Sequence, residues 1–253
     1  MSENISTASG YPFPALGGTG AAAYVEVIDE GSGPDEYDKL LAALGRFYED
    51  DARVAIHEAG HAVCARLLGN PLGGVTVQPT KTSDGLCWGV GHEEAFAEGR
   101  GDASDVREVL AEAMPKAGEQ IESVSDVFAN VYSHCIELMA GCVAETMLLG
   151  EQGVGGADDL RQARELALLF CMSEEAVESF VQHCRLAARD MLMPYGDVVM
   201  ALSVVLRIKR TLSGAEIDKI ISDVQARMAL VSEHRRRADW RQREISAARL
   251  RSS

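Results

Sequence analysis

The feature that most constrains this chain is the pattern His57-Glu58-Ala59-Gly60-His61, which lies inside an apolar, helix-favouring segment. In an α-helix, residues four apart lie on one face, so both imidazoles can reach the same metal ion. Glu58 lies beside the first histidine but off the ligand row, where a carboxylate can accept a proton from water. The pattern predicts a zinc metallopeptidase site. The alternative is an accidental match on the surface of a helix.

The third protein ligand must come from another part of the chain, because a catalytic zinc ion usually has three protein ligands and one open position. Three acidic residues are candidates: Glu145 in a long apolar segment, and Asp158 and Asp159 after a glycine-rich stretch. Each also has an ordinary alternative role, since a carboxylate at the start of a helix can cap it and Glu145 can pair with a cation. The spacing leaves these alternatives open.

Apolar residues recur at helical spacing over most of the chain, which predicts a mainly helical fold without internal repeats. Asp50 or Asp51 is the predicted cap of the site helix, and Ser213 with Glu216 forms a predicted capping box. We expect a multi-helix zinc-metallopeptidase domain with an HExxH helix and a small β-hairpin. The predicted helices cover residues 35–48, the site helix up to Gly69-Asn70-Pro71, and residues 106–114, 121–149, 158–170, 173–193, 198–211 and 217 onward.

The hairpin is predicted where β-forming residues flank the turn-rich segment 80–85. Its strands are Val75–Pro79 and Gly85–Val90. Because the hairpin follows the site helix directly, an extended peptide could add to its exposed edge as a further strand and pass the metal ion. A purely structural flap is the equal alternative. The polar segment 93–102 is predicted to be a loop or lid.

Charge and composition indicate the broad class of protein. The net charge of −15 argues against general nucleic-acid binding by the body of the protein. Six cysteines without a Cys-x-x-Cys pair predict reduced thiols in a cytoplasmic protein. The sequence lacks both an apolar run of about 18 residues and a basic region followed by an apolar one at its start. We therefore expect neither a membrane span nor a signal peptide.

Four motifs together resemble the peptidase domain of the FtsH-type ATP-dependent zinc metalloproteases, in order and in rough spacing. They are His57–Ala62, Val75–Pro79, Ala140–Glu145 and Gly156–Ala163, and Leu212–Ile217 is similar to a further segment of that domain. The resemblance covers about residues 50–222. It implies zinc as the cofactor, His57, His61 and Asp159 as its ligands, and Glu58 as the general base. Asp158 stands where that family usually has asparagine.

Two departures from that family affect the expected function. The sequence has no Walker motif, and we expect no transmembrane anchor; in addition, Gly141-Cys142-Val143 replaces a Gly-Arg-Ala run. We therefore expect an ATP-independent zinc endopeptidase whose substrates are unfolded segments, peptides or one specific protein. The alternative hypothesis is a peptidase-fold adaptor or regulatory interaction protein with little or no proteolytic activity.

Three segments are predicted from these patterns. Residues 1–34 are rich in glycine, proline, serine and alanine and are expected to form a flexible N-terminal arm, residues 35–232 the FtsH-like peptidase domain, and residues 233–253 a basic helical tail. From His234 to Ser253 seven arginines outnumber two acids, so the tail carries +5 and the remainder −20. The tail is expected to pack as a helix on the acidic body or to bind an acidic protein partner.

Overall fold

The computed structural model describes residues 35–80, 83–90, 122–150 and 156–251. The expected arm at residues 1–34, the loop or lid at residues 93–102 and the helix at residues 106–114 lie outside the described residues. Contacts divide the chain into a unit of Met1–Lys39 and a unit of Leu40–Ser253. The domain boundaries after residues 34 and 232 stay predictions.

The described residues form seven α-helices, one 3₁₀ turn and three short strands. The helices are α1 (Glu36–Leu44), α2 (Tyr48–Leu68), α3 (Glu122–Leu149), α4 (Ala157–Ala167), α5 (Glu174–Leu192), α6 (Gly196–Lys209) and α7 (Gly214–Arg251), and the 3₁₀ turn is Met193–Tyr195. The strands are β1 (Leu72–Thr76), β2 (Leu86–Gly89) and β3 (Thr211–Ser213). The prediction of a mainly helical fold with a small β element is confirmed.

The ends of the helices follow local sequence signals in most places. Helix α2 ends where predicted, because Gly69 adopts the left-handed conformation (φ 80°) and donates its N–H to the last turn. Helix α7 begins with the predicted capping box, in which Ser213 N donates to Glu216 Oε2 at 3.0 Å. The predicted cap of α2 is wrong. Phe47 precedes its first turn without a side-chain cap, and Asp51 lies inside the helix.

The sheet has the order β2-β1-β3, with both pairings antiparallel. Val75 in β1 lies opposite Cys87 in β2 and Leu212 in β3. The predicted hairpin is present, but its first strand is Leu72–Thr76 rather than Val75–Pro79, and its second strand, Leu86–Gly89, lies within the predicted Gly85–Val90. Strand β3 begins at Thr211, the last residue of the helix predicted at residues 198–211. Among the described strands β1 is paired on both sides, so β2 is the outer strand of the hairpin.

Helix α2 is the centre of the core and packs against α3, α5, α6 and β1. Its small residues Ala55, Ala59 and Ala62 are fully buried. Gly60 allows α3 to approach closely, because a Cβ atom there would lie 2.7 Å from the carbonyl oxygen of Ala140. None of the six cysteines, all of which the structure describes, forms a disulfide, in agreement with the expected reduced thiols.

A buried ion cluster joins the start of α2 to the sheet. Arg210 donates to both carboxylate oxygens of Asp51, at 2.7 and 2.8 Å, and to the carbonyl oxygen of Val77 at 2.9 Å. Arg46 donates to Asp51 Oδ1 at 3.3 Å and to both the carbonyl and carboxylate oxygens of Asp84. Because Asp51 is fully buried, its charge is stabilised by these two guanidinium groups.

The C-terminal helix leaves the body of the protein. Only Gly214 and Ile217 of α7 are buried, and from Gln225 to Arg251 every residue is exposed apart from the half-buried Glu233. The predicted helical tail is therefore present. Its expected packing on the acidic body is not what the structure shows.

By length and composition, one stretch of the described residues, Glu174–Lys209, is apolar enough to cross a membrane. It contains α5, the 3₁₀ turn and α6. Leu192, Val199, Leu202 and Leu206 in this stretch are buried in the core, and core helices meet the same criterion. The stretch is weak evidence for a membrane span.

Candidate metal centre

Helix α2 presents His57 and His61 on one face, one turn apart. Their Nε2 atoms are 3.0 Å from each other, and the two rings meet edge to face with centroids 4.7 Å apart. His61 is buried and His57 nearly so. The spacing of four residues therefore brings two imidazole nitrogens to one point, as the sequence predicts for a shared ligand.

Asp159 reaches this point from the first turn of α4. Its Oδ2 atom lies 3.0 Å from His57 Nε2 and 3.5 Å from His61 Nε2. Gly156 precedes the helix with φ 88°, a conformation that glycine adopts readily and that turns the chain into α4 beside α2. The three side chains form a group that could hold a metal ion.

Hydrogen-bond acceptors on α3 orient both histidines through their Nδ1 atoms. Glu145 Oε1 lies 2.7 Å from His57 Nδ1, and the carbonyl oxygen of Glu137 lies 2.7 Å from His61 Nδ1. Since a carbonyl and an ionised carboxylate only accept, each Nδ1 is the donor, and each Nε2 keeps its lone pair for a metal ion. Ligand histidines in proteins usually have such a partner.

The arrangement fits a tetrahedral metal ion. Two Nε2 lone pairs and a carboxylate oxygen about 3 Å apart repel one another unless a proton or a metal ion lies between them. Ligand atoms about 2.0–2.1 Å from a tetrahedral zinc ion are roughly 3.3 Å apart, close to the observed separations of 3.0, 3.0 and 3.5 Å. Two imidazoles and one carboxylate are a common donor set for zinc.

Gly141 in α3 leaves the space in which these groups meet. A Cβ atom at this position would lie 2.5 Å from Cε1 of His57 and 2.6 Å from Nε2 of His61. Only a residue without a side chain lets α3 pass so close to both imidazoles. The backbone here is helical, so the glycine is required by the close approach rather than by its φ angle.

The charges of the triad stabilise one another. Burial alone would lower the pKa of His57, but hydrogen bonds to Asp159 and Glu145 and the charge of Glu58 raise it to about 10. Burial acts to raise the pKa of Asp159, but the two imidazoles outweigh it and hold that pKa below its ordinary value. A proton and a metal ion therefore compete for the same nitrogen atoms.

Glu58 is buried beside the triad. Burial raises the pKa of its carboxyl group, and the neighbouring imidazoles of His61 and His57 partly oppose this. Gly85, immediately before β2, lies against it, since a Cβ atom there would be 2.6 Å from Glu58 Oε1. The residue that leads into β2 thus lies over the carboxylate that the sequence predicts to be the general base.

The rival acidic residues lie elsewhere. Asp158 is exposed and accepts hydrogen bonds from Arg161 at 2.7 Å and Gln162 at 2.7 Å, so it faces away from the imidazoles. Glu145 contacts His57 through the ring nitrogen opposite the metal-facing one. The structure thus brings together His57, His61 and Asp159, and their role as metal ligands stays a prediction.

Sequence reasoning missed two features of the site. The carbonyl group of Glu137 leaves no signal in the sequence, because any residue has one. Gly141 is visible as a glycine inside an apolar helix, a position where glycine costs about 1 kcal/mol relative to alanine and so has a packing or functional reason.

The fold and the site define a mainly helical protein with a possible His-His-Asp metal site, and comparisons with known proteins point in the same direction. The chain is 25% identical to ATP-dependent zinc metalloprotease FtsH 2 of Symbiobacterium thermophilum in an alignment of 207 positions that covers 69% of this chain and 30% of that protein. It is 27% identical to ATP-dependent zinc metalloprotease FtsH of Cyanidium caldarium in an alignment of 152 positions that covers 55% of this chain and 20% of that protein. The chain spans less than a third of either relative, and no protein-family model matches it. A distant relationship to these metalloproteases is what the similarity supports.

Proposed function

We propose that this chain is a zinc-dependent endopeptidase that cleaves unfolded segments, peptides or one specific protein without ATP, in the cytoplasm. The observation that carries the proposal is the convergence of His57 Nε2, His61 Nε2 and Asp159 Oδ2 next to a buried Glu58. A metal site that serves only structure has no need of a general base beside it. The similarity to two zinc metalloproteases supports the same class of activity.

His57, His61 and Asp159 would hold the zinc ion, which when bound polarises the scissile carbonyl group and acidifies water. Glu145 and the Glu137 carbonyl accept from Nδ1 of the two imidazoles, so Nε2 is the nitrogen that would bind zinc once its proton has left. Glu58 takes the proton from the attacking water and delivers it to the nitrogen of the leaving amine. Its burial suits this role, because a carboxylate with a raised pKa accepts a proton more readily.

The substrate is proposed to lie in extended form along β2. Gly85, immediately before this strand, lies over Glu58, and β2 is the outermost strand on its side of the described sheet. Main-chain hydrogen bonds to a strand at the edge of a sheet hold a peptide of any sequence, which suits an enzyme for unfolded chains.

The test is the hydrolysis of an unstructured protein such as casein by the zinc-loaded wild type and by Glu58→Gln. We expect Glu58→Gln to keep its zinc and to lose at least about 100-fold in rate, the range of a general-base contribution. Asp158→Asn is the matched control, because it changes a neighbouring exposed carboxylate outside the triad and should retain activity. Persistent inactivity of the zinc-loaded wild type on diverse peptides would favour the adaptor hypothesis instead.

A further inference from the structure

The exposed end of α7, Gln225–Arg251, is called the basic arm here. It contains eight arginines, no lysine and three acids, which give it a net charge of +5, whereas the rest of the chain carries −20. At about 1.5 Å per residue the arm is about 40 Å long, enough to lie across another domain of this size. The arm is exposed on all sides, and ion pairs of Glu233 with Arg236 and Arg237 stabilise it locally.

One side of the basic arm has the composition of a binding face. Arg236, Trp240 and Arg243 are spaced four and three residues apart and therefore lie on one side of the helix. Trp240 is 62% exposed and lies between Arg236 and Arg243 along this side of the helix. Tryptophan and arginine are the residue types that contribute most to protein–protein affinity.

A complementary surface lies on the body, and we call it the acidic patch. It consists of Phe128, Leu168, Met172, Glu174 and Glu175. Leu168 and Met172 are 61% and 99% exposed, an unusual exposure for large apolar side chains. Phe128 packs on Phe170 with ring centroids 5.0 Å apart, so the patch rests on a rigid aromatic cluster. The two glutamates open α5 next to Met172.

The arm does not cover this patch in its own chain. Helix α7 packs against α6, β1 and β3, whereas the patch is built from α3, the connection after α4 and the start of α5. Trp240 and Met172 are both exposed in the same molecule. An arm that binds an acidic patch therefore uses the patch of a second molecule.

The charge distribution favours a second copy of this chain over other kinds of partner. Two basic arms would repel each other, so pairing of arm with arm is disfavoured. A phosphate backbone would be repelled by the −20 of the rest of the chain. The arginines lie on all sides of the arm instead of one polar face, unlike a helix that lies in a membrane surface. The acidic patch offers both the apolar side chains for Trp240 and the carboxylates for the arginines.

We propose that the basic arm of one molecule docks on the acidic patch of a second copy of this chain. Trp240 packs on Met172 and Leu168 of the other copy, and Arg236 and Arg243 pair with its Glu174 and Glu175. Because each copy has one arm and one patch, two reciprocal contacts close a dimer. The proposal depends on surface residues far from the metal centre and is independent of the proposed peptidase activity.

The experiment is sedimentation velocity of the full chain over a range of concentrations, at about 0.05 M and about 0.5 M NaCl. The wild type should form dimers that weaken as salt rises. Trp240→Ala should raise the dissociation constant about 30-fold, and Arg243→Glu and Met172→Asp at least about 10-fold. These positions are exposed, so helix content by circular dichroism should be unchanged.

Arg241→Glu is the matched control, because it makes the same charge change two residues away, on the opposite side of the helix. It should change the dissociation constant less than about threefold. Combining Arg236→Glu and Arg243→Glu with Glu174→Lys and Glu175→Lys reverses both proposed ion pairs and should restore the dimer. A wild type that stays monomeric, equal effects of Arg241→Glu and Arg243→Glu, or arm-dependent binding of duplex DNA or phosphatidylserine vesicles by a monomer would each overturn the proposal.

Discussion

The substitution Asp51→Asn tests the buried ion cluster that joins α2 to the sheet. Asp51 is fully buried, and the side chains of Arg46 and Arg210 are each only 7% exposed. An amide has almost the same shape as the carboxylate, so the substitution creates no cavity. It removes the negative charge that both buried guanidinium groups share, and it replaces one acceptor oxygen by a donor that faces Arg210.

The expected loss of stability is large. Removing one partner of a buried ion pair costs about 3–5 kcal/mol, because the remaining charge is left without compensation. Here two cations lose the carboxylate that they share, although Arg46 keeps the carboxylate of Asp84 at 3.1 Å and Val77 O still accepts from both, at 2.7 Å from Arg46 and 2.9 Å from Arg210. We therefore expect about 4 kcal/mol, a substantial part of the roughly 5–15 kcal/mol that stabilises a protein of ordinary size. The melting temperature should fall by about 8–16 °C.

The assay is urea denaturation followed by circular dichroism, with equal zinc content in all samples. Asp50→Asn is the matched control, since Asp50 is the exposed neighbour in the same helical turn. It removes only a favourable interaction with the helix dipole, about 0.5 kcal/mol. If Asp51→Asn destabilises the protein by no more than about 1 kcal/mol beyond Asp50→Asn, the cluster is not a major source of stability and the reasoning is wrong.

Three further predictions concern the metal centre. Gly141→Ala should abolish zinc binding, measured by metal analysis, and retain the helix content, because the new Cβ atom would lie 2.6 Å from Nε2 of His61. Gly196→Ala is the control and should bind zinc normally, because its Cβ atom would have its nearest neighbour at 3.9 Å. Because the pKa of His57 is raised to about 10, the metal-free protein carries the additional proton on this imidazole at pH 8. Zinc binding should therefore release about one proton from His57, and the affinity for zinc should rise as the pH approaches 10. Calorimetry in buffers of different ionisation enthalpy measures the proton release, and a binding enthalpy that is the same in all buffers would contradict it. Asp159→Asn should lose most of its zinc and Asp158→Asn should keep it, and equal zinc contents in the two purified variants would remove Asp159 from the triad.

The site helix and the meeting of its two histidines could be predicted because they depend on short-range periodicity. Residues four apart share a helix face in any sequence, so His57 and His61 needed no knowledge of the tertiary fold. The end of α2 at Gly69 and the capping box at Ser213 are equally local. Such signals lie within a few residues of the structure that they specify.

The remaining features depend on contacts between distant segments. Asp51 looks like a helix cap in the sequence, but Arg210, 159 positions away, binds it inside the helix. Strand β3 has three residues, too few for an alternating pattern, and it exists because β1 offers it a partner. The sequence alone left Glu145, Asp158 and Asp159 as alternatives, since only packing decides which carboxylate faces the imidazoles.

The place of β3 in the sheet has a consequence for the order of folding. Thr76 of the central strand bonds to Thr211, 135 positions further along the chain, so one side of β1 stays unpaired until the chain has been synthesised beyond residue 211. Contacts of such sequence separation form slowly, and an unpaired strand is a template for association with other chains. A nascent or truncated chain that ends before β3 therefore exposes an aggregation-prone strand directly after the helix that carries both histidines.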